Sequence, residues 1–140
     1  MLFRSDRYGT IFEGRAGGLD RPIVAAHAGG FNEGTFGIAM MGDLMTVAPT
    51  PPEVEAVAAL AAWKLAPLHR DPDAPVSLVS AGGGTSRYPR GATATVPTLF
   101  AHRDVGNTLC PGDVGYRGMG ALRARVRALL GPGPQLVRHR

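Results

Sequence analysis

His102 and Cys110 are the residues of this 140-residue chain best suited to chemistry. Cys110 is the only cysteine, and it stands eight residues after a histidine that closes the apolar run Pro97-Thr98-Leu99-Phe100-Ala101. A short apolar run opened by proline reads as a buried strand from Pro97 to Ala101, which would present His102 at a sheet edge, where α/β proteins keep their sites. The connecting residues include Gly106 and Asn107, the composition of a loop that folds back. An imidazole nitrogen and a thiolate brought together this way suit zinc, which takes both at about 2.0–2.3 Å and in catalytic sites keeps three protein ligands and a water. Two ligands are visible, and a third is needed. On spacing alone, a small buried cysteine and a hydrogen-bonded loop histidine are the commoner readings.

A second histidine, His27, follows the apolar stretch Ile23 to Ala26 and precedes Ala28-Gly29-Gly30. The stretch reads as a short strand, and the glycines leave His27 open to a ligand or free to bond nearby backbone. Asn32 offers a donor and an acceptor, and Arg15 a guanidinium fork for a carboxylate; turn chemistry and a structural ion pair are the alternatives.

The elements that would position these groups follow from pattern. Asp6-Arg7-Tyr8-Gly9 signals a turn between Met1–Ser5 and the strand formers Thr10 to Glu13, hence a β-hairpin. Phe36 to Met41 is apolar throughout and predicts a strand covered on both faces at the centre of the sheet. Thr50-Pro51-Pro52-Glu53 is a capping box, and Val54, Val57, Ala58, Ala61 and Leu65 give the following helix an apolar stripe to lay against the sheet, with Trp63 off the stripe and packed under a loop. Val76 to Val79 reads as a strand. The run Ala81-Gly82-Gly83-Gly84-Thr85-Ser86 lacks the lysine of a phosphate loop. Asp113 is placed to cap a last helix carrying Met119, Leu122, Val126 and Leu129, and Gly115, Gly118 and Gly120 predict that it starts late. The fold class is therefore α/β, of the α+β kind: a mixed central sheet with flanking helices, in one domain over residues 1–131, followed by a basic tail at 132–140.

The length suffices for one core, and a hydrophobic share of 44% with 19% charged residues is globular. A single cysteine excludes an internal disulfide and leaves the thiol free for metal. No apolar run reaches the roughly 20 residues of a membrane span. The stretch Met1 to Ser5 is not a secretory leader, so export is expected to depend on something outside the chain. A net charge of +4 and late arginines at 123, 125, 127, 138 and 140 favour an acidic partner, nucleic acid or anionic wall polymer, over which a solvated helix face is the plainer reading.

The stretch Ala101-His102-Arg103-Asp104, a short loop, then Cys110-Pro111-Gly112 resembles the C-terminal signature of the zinc-dependent N-acetylmuramoyl-L-alanine amidases and peptidoglycan recognition proteins, with Ala101 where glycine is usual. Asp6 to Arg15, Ala26 to Asn32 and Thr35 to Asp43 resemble further blocks of that family in the same order. The resemblance implies zinc held by His102 and Cys110, a glycan and peptide groove that includes His27, Asn32 and Arg15, and Thr108 beside the forming oxyanion where relatives carry lysine or threonine. It implies hydrolysis of the amide between N-acetylmuramic acid and L-alanine, in the cell wall or outside the cell, with peptidoglycan and not nucleic acid as partner. It also implies that the chain begins inside the hairpin: the strand ending in the first zinc histidine and the active-site tyrosine are not in it. A misassigned start, a decayed remnant and a non-catalytic peptidoglycan binder are the competing expectations, and no glutamate on the strand from Phe36 to Met41 supplies a general base.

Overall fold

The hairpin forms where the turn signal places it. In this computed structural model, which describes residues 1–131, β1 (Leu2–Ser5) runs antiparallel to β2 (Ile11–Glu13), with Phe3 opposite Glu13 and Ser5 opposite Ile11. Asp6 Oδ1 accepts from the amides of Tyr8 and Thr10, both at 2.9 Å, and so closes the turn. Gly9 sits at φ +85°, and a Cβ there would lie 2.8 Å from the carbonyl oxygen of Pro52, so both conformation and contact require glycine.

β3 (Gly37–Met40) pairs parallel to β1 on its other side, giving a mixed sheet of order β2-β1-β3. This corrects the expectation of a central strand: among the described residues β3 is an edge, and Ala39 is exposed. The amide of Gly37 donates to Met1 and that of Met41 to Ser5. By strand alternation, the backbone groups of Ile38 and Met40 face away from β1, and no strand among the described residues pairs with them.

α1 (Pro51–Leu65) starts at the capping box, Thr50 Oγ1 accepting from the Glu53 amide at 3.4 Å. Its stripe is buried at Val57, Ala58, Ala61 and Leu65, but the main partner is α4 (Met119–Leu130), which contributes Leu122 and Val126, and less so the sheet. The late start of that helix is as the glycines predict, because α3 (Asp113–Arg117) is a separate short piece. Asp113 is its first residue and not its cap, a role held by Gly112. Trp63 is 49% exposed, with the Lys64 ammonium 4.3 Å above its ring, so the expectation of burial under a loop does not hold.

β4 (Pro75–Val79) and β5 (Thr93–Pro97) form a separate antiparallel pair, packed on Phe31 and on Val105 of α2 (His102–Val105). The expected strand at Pro97 to Ala101 is displaced: the observed strand ends at Pro97. The amides of Thr98 and Leu99 go instead to the carbonyls of Ala74 and Pro72, at 2.8 and 2.9 Å, so this segment is tied to a loop. Ile23 to Ala26 is likewise not a strand; the Ile23 amide bonds Arg21, and its carbonyl accepts from the terminal amine of Met1.

The three late arginines on α4 have carboxylate partners. Arg125 holds Glu55 through a two-point fork at 2.6 and 2.8 Å, Arg123 reaches Asp73 at 2.6 Å, and Arg127 bonds Asp71 and Asp73. α4 therefore presents a neutralised face, the plainer of the two readings of its charge. The basic tail at 132–140 lies outside the described residues.

Candidate metal centre and substrate groove

A loop folded on itself brings residue 110 back to residue 102. The amide of Arg103 donates to the carbonyl of Cys110 at 3.0 Å, which sets Cys110 against the first turn of α2. The Arg103 side chain fastens the same loop: Nε donates to the Leu109 carbonyl at 3.1 Å, Nη1 pairs with Asp113 at 2.9 Å, and the guanidinium lies 4.8 Å from the centre of the Tyr116 ring. Tyr116 in turn donates to Asp104 Oδ1 at 2.7 Å, while Asp104 Oδ2 accepts from the Ala101 amide at 2.8 Å and closes the start of α2. Arg103 and Asp104 thus hold the loop, while His102 is half-buried and Cys110 stays exposed.

Both line a cavity of about 1470 Å³ between β3 and the β4 segment. Its walls are mostly apolar, Ile38, Met40, Val76 and Leu99 among them, and His27 opens into it as well. Gly112, at φ +94°, passes so close to Leu44 that a Cβ would lie 2.4 Å from its carbonyl oxygen, and the amides of Val114 and Gly115 both donate to that oxygen at 3.1 Å. These contacts seat the cysteine loop against the chain just beyond β3.

His27 packs across β3 at Gly37, where a Cβ would lie 2.7 Å from its own. Burial, then the charge of the terminal amine, and to a lesser degree His102, hold its imidazole below the ordinary pKa, and its Nε2 is buried without a partner. Burial lowers His102 in the same direction. Both imidazoles are therefore favoured as neutral, the form that binds metal. The Cys110 thiol is pushed up by burial and drawn down by Arg103, so a metal must displace its proton. Neutral imidazole and a displaceable thiol proton fit zinc, but the fit is incomplete: among the described residues no three His, Cys, Asp or Glu side chains come together as a metal cluster.

The other site candidates are placed differently. Asn32 Oδ1 accepts from the amides of His27 and Ala28 at 2.8 and 2.7 Å, so it shapes the His27 loop. Thr108 Oγ1 accepts from the Cys110 amide at 3.1 Å. Arg15 is exposed on the loop after β2 and is not among the residues that line the cavity. What residue-by-residue reading missed is the bracing of the loop by Arg103, Asp104, Tyr116 and Asp113; the adjacency of Arg103 and Asp104 to His102 was the available signal.

The sequence model of the N-acetylmuramoyl-L-alanine amidases matches residues 3–113, most of the chain. The chain belongs to that family. No curated protein and no solved structure matches it significantly. The amidase match ends at Asp113, so it takes in the hairpin, β3, the His27 loop, α1 and the whole His102–Cys110 loop, while α4 lies beyond it. Membership makes this a peptidoglycan amidase-type domain with peptidoglycan as its substrate class. No helix among the described residues is long and apolar enough to cross a membrane.

Proposed function

We propose that this domain is the zinc-dependent hydrolytic unit of a cell-wall amidase acting outside the cytoplasm, cutting the amide between the lactyl group of N-acetylmuramic acid and L-alanine. The observation that carries the reading is the bond from the Arg103 amide to the Cys110 carbonyl, which brings the sequence-distant His102 and Cys110 to one cavity. His102 and Cys110 would hold the metal. Zinc, when bound, supplies a Lewis acid that polarises the scissile carbonyl and lowers the pKa of water toward ~7. Water adds to the carbonyl carbon, the C–N bond breaks, and the amine leaves with a proton that came from the water. The Thr108 hydroxyl oxygen already accepts from the Cys110 amide, which leaves its own hydrogen for the oxygen that becomes negative in the transition state. Neutral His27 lines the same cavity, with its Nε2 buried and unpartnered behind the wall.

No third donor joins His102 and Cys110 among the described residues. The outer edge of β3, unpaired among the described residues and beside an apolar cavity that reaches His102 and Cys110, supports an extended segment seated along that edge and delivering a third donor. The test is release of stem peptides from purified peptidoglycan, with and without zinc, by this chain and by a version extended at its N-terminus, with Cys110→Ala in each as control. Zinc-dependent release by the extended version, lost with Cys110→Ala, is the expected result. That no three donors cluster among the described residues leaves room for one second reading, a peptidoglycan binder without hydrolysis. Binding without release by the zinc-loaded extended version would establish it.

A further inference from the structure

α2 and α3 have a second side. Behind them lies a smaller pocket of about 460 Å³, lined by three arginines, Arg87, Arg117 and Arg123. Arg87 and Arg117 are exposed and make no ion pair among the described residues. Arg123 is engaged through Nε with Asp73 and through Nη1 with the Leu99 carbonyl at 3.2 Å, which leaves Nη2. The one carboxylate in the wall is Asp104, and both of its oxygens already accept, from Tyr116 and from Ala101. The wall therefore carries two unpaired arginines against one carboxylate already engaged, a surplus of positive charge that an oxyanion would balance.

The pocket is larger than a bare ion, and Val96, Pro97 and Met119 add apolar surface to it. A carboxylate attached to a small apolar group fits that mixture better than an isolated phosphate does. Arg117 and Met119 also line the large cavity, so the two spaces share a wall. We propose that this pocket binds a free carboxylate at the end of a peptide, anchoring a stem peptide of the wall beside the hydrolytic cavity. The ligand's identity as a stem peptide rests on the amidase reading; the match of guanidinium to carboxylate does not.

The experiment is calorimetric titration of the metal-free full chain with N-acetyl-D-alanyl-D-alanine and with its C-terminal amide. The acid should bind saturably at one site and the amide about tenfold more weakly, the scale of one or two charge-assisted hydrogen bonds. The double variant Arg87→Gln/Arg117→Gln should lose about tenfold for the acid, whereas Arg90→Gln, an exposed arginine outside the pocket, should bind like the parent. Equal binding of acid and amide overturns the proposal, as does a double variant that binds like the parent with an unchanged melting temperature. Inorganic phosphate displacing the peptide at lower concentration than the peptide itself binds would make this a phosphate site and also overturn it. No zinc or hydrolysis enters the measurement, so a failed amidase assay and a failed carboxylate site are told apart.

Discussion

The amide of Arg103 donates to the carbonyl of Cys110 at 3.0 Å, and the side chain of the same arginine reaches Leu109, Asp113 and the face of Tyr116. One residue thereby fixes the loop from both its backbone and its side chain. Arg103→Ala keeps the first contact and removes the others. Its side chain is only 18% exposed, so a loss of about 1–3 kcal/mol in stability is expected, the scale of hydrogen bonds to a charged group. Urea unfolding measures that loss, and zinc affinity should fall with it if Cys110 is a ligand.

Acid should weaken the fold through His27. Its folded pKa lies below the ordinary value of about 6.5, so between the two the unfolded chain takes up a proton that the folded chain does not. Stability is full above about pH 6.5 and declines as the pH falls through that window to the folded value. Denaturant midpoints from pH 7.5 to 5 should show the decline, and His27→Gln should flatten it; an equal slope in the variant would assign the effect to other groups.

Glu53 has the opposite sign. Buried to 2% exposure with Oε1 unpartnered, it has its pKa raised by burial, against the pull of the nearby Met41 and Thr50 amides. The stability tied to its protonated form is complete below the unfolded pKa and is lost as the pH rises through the higher folded one. Glu53→Gln keeps the shape and the capping position while removing the charge, and should stabilise the protein at pH 7 by about 1 kcal/mol. The gain should shrink toward pH 4, as read by melting temperature at both values.

Gly112→Ala should be among the most damaging single changes. It adds a methyl 2.4 Å from the Leu44 carbonyl oxygen, at a φ of +94° that alanine resists, for a cost of about 3 kcal/mol or more. Thermal unfolding checks it; a variant that melts like the parent would mean that the loop does not sit against Leu44.

The arginines of α4 should not confer nucleic-acid binding, because Glu55, Asp71 and Asp73 face them. Arg125→Gln/Arg127→Gln should therefore leave the retention of duplex DNA at 150 mM salt, about physiological ionic strength, unchanged. Glu55→Gln together with Asp71→Asn should increase retention at low salt.

The hairpin, α1 with its cap and stripe, and the late start of α4 were legible because each rests on local rules: turn chemistry, capping and helical period. β3 was misplaced within the sheet because an apolar strand looks the same whether its neighbour is a strand or a cavity. Pro97 to Ala101 failed as a strand for a related reason: apolar composition does not say whether Thr98 and Leu99 donate to a sheet or to the loop carbonyls of Pro72 and Ala74. His102 and Cys110 were legible as a pair through their residue types and the family's spacing, but that Arg103 joins them is a tertiary contact with no periodic trace. The pairing of Arg125 with Glu55, 70 residues apart, is equally invisible to a charge count.

The side of β3 that no described strand covers carries a further consequence for anyone handling the protein. Two backbone donors and two acceptors, at Ile38 and Met40, stand at the rim of an oily trough, and any extended chain that arrives can satisfy them. Concentrated samples should self-associate through that rim, and a lysine at Ala39, an exposed residue that also lines the trough, is the smallest change expected to keep them dispersed.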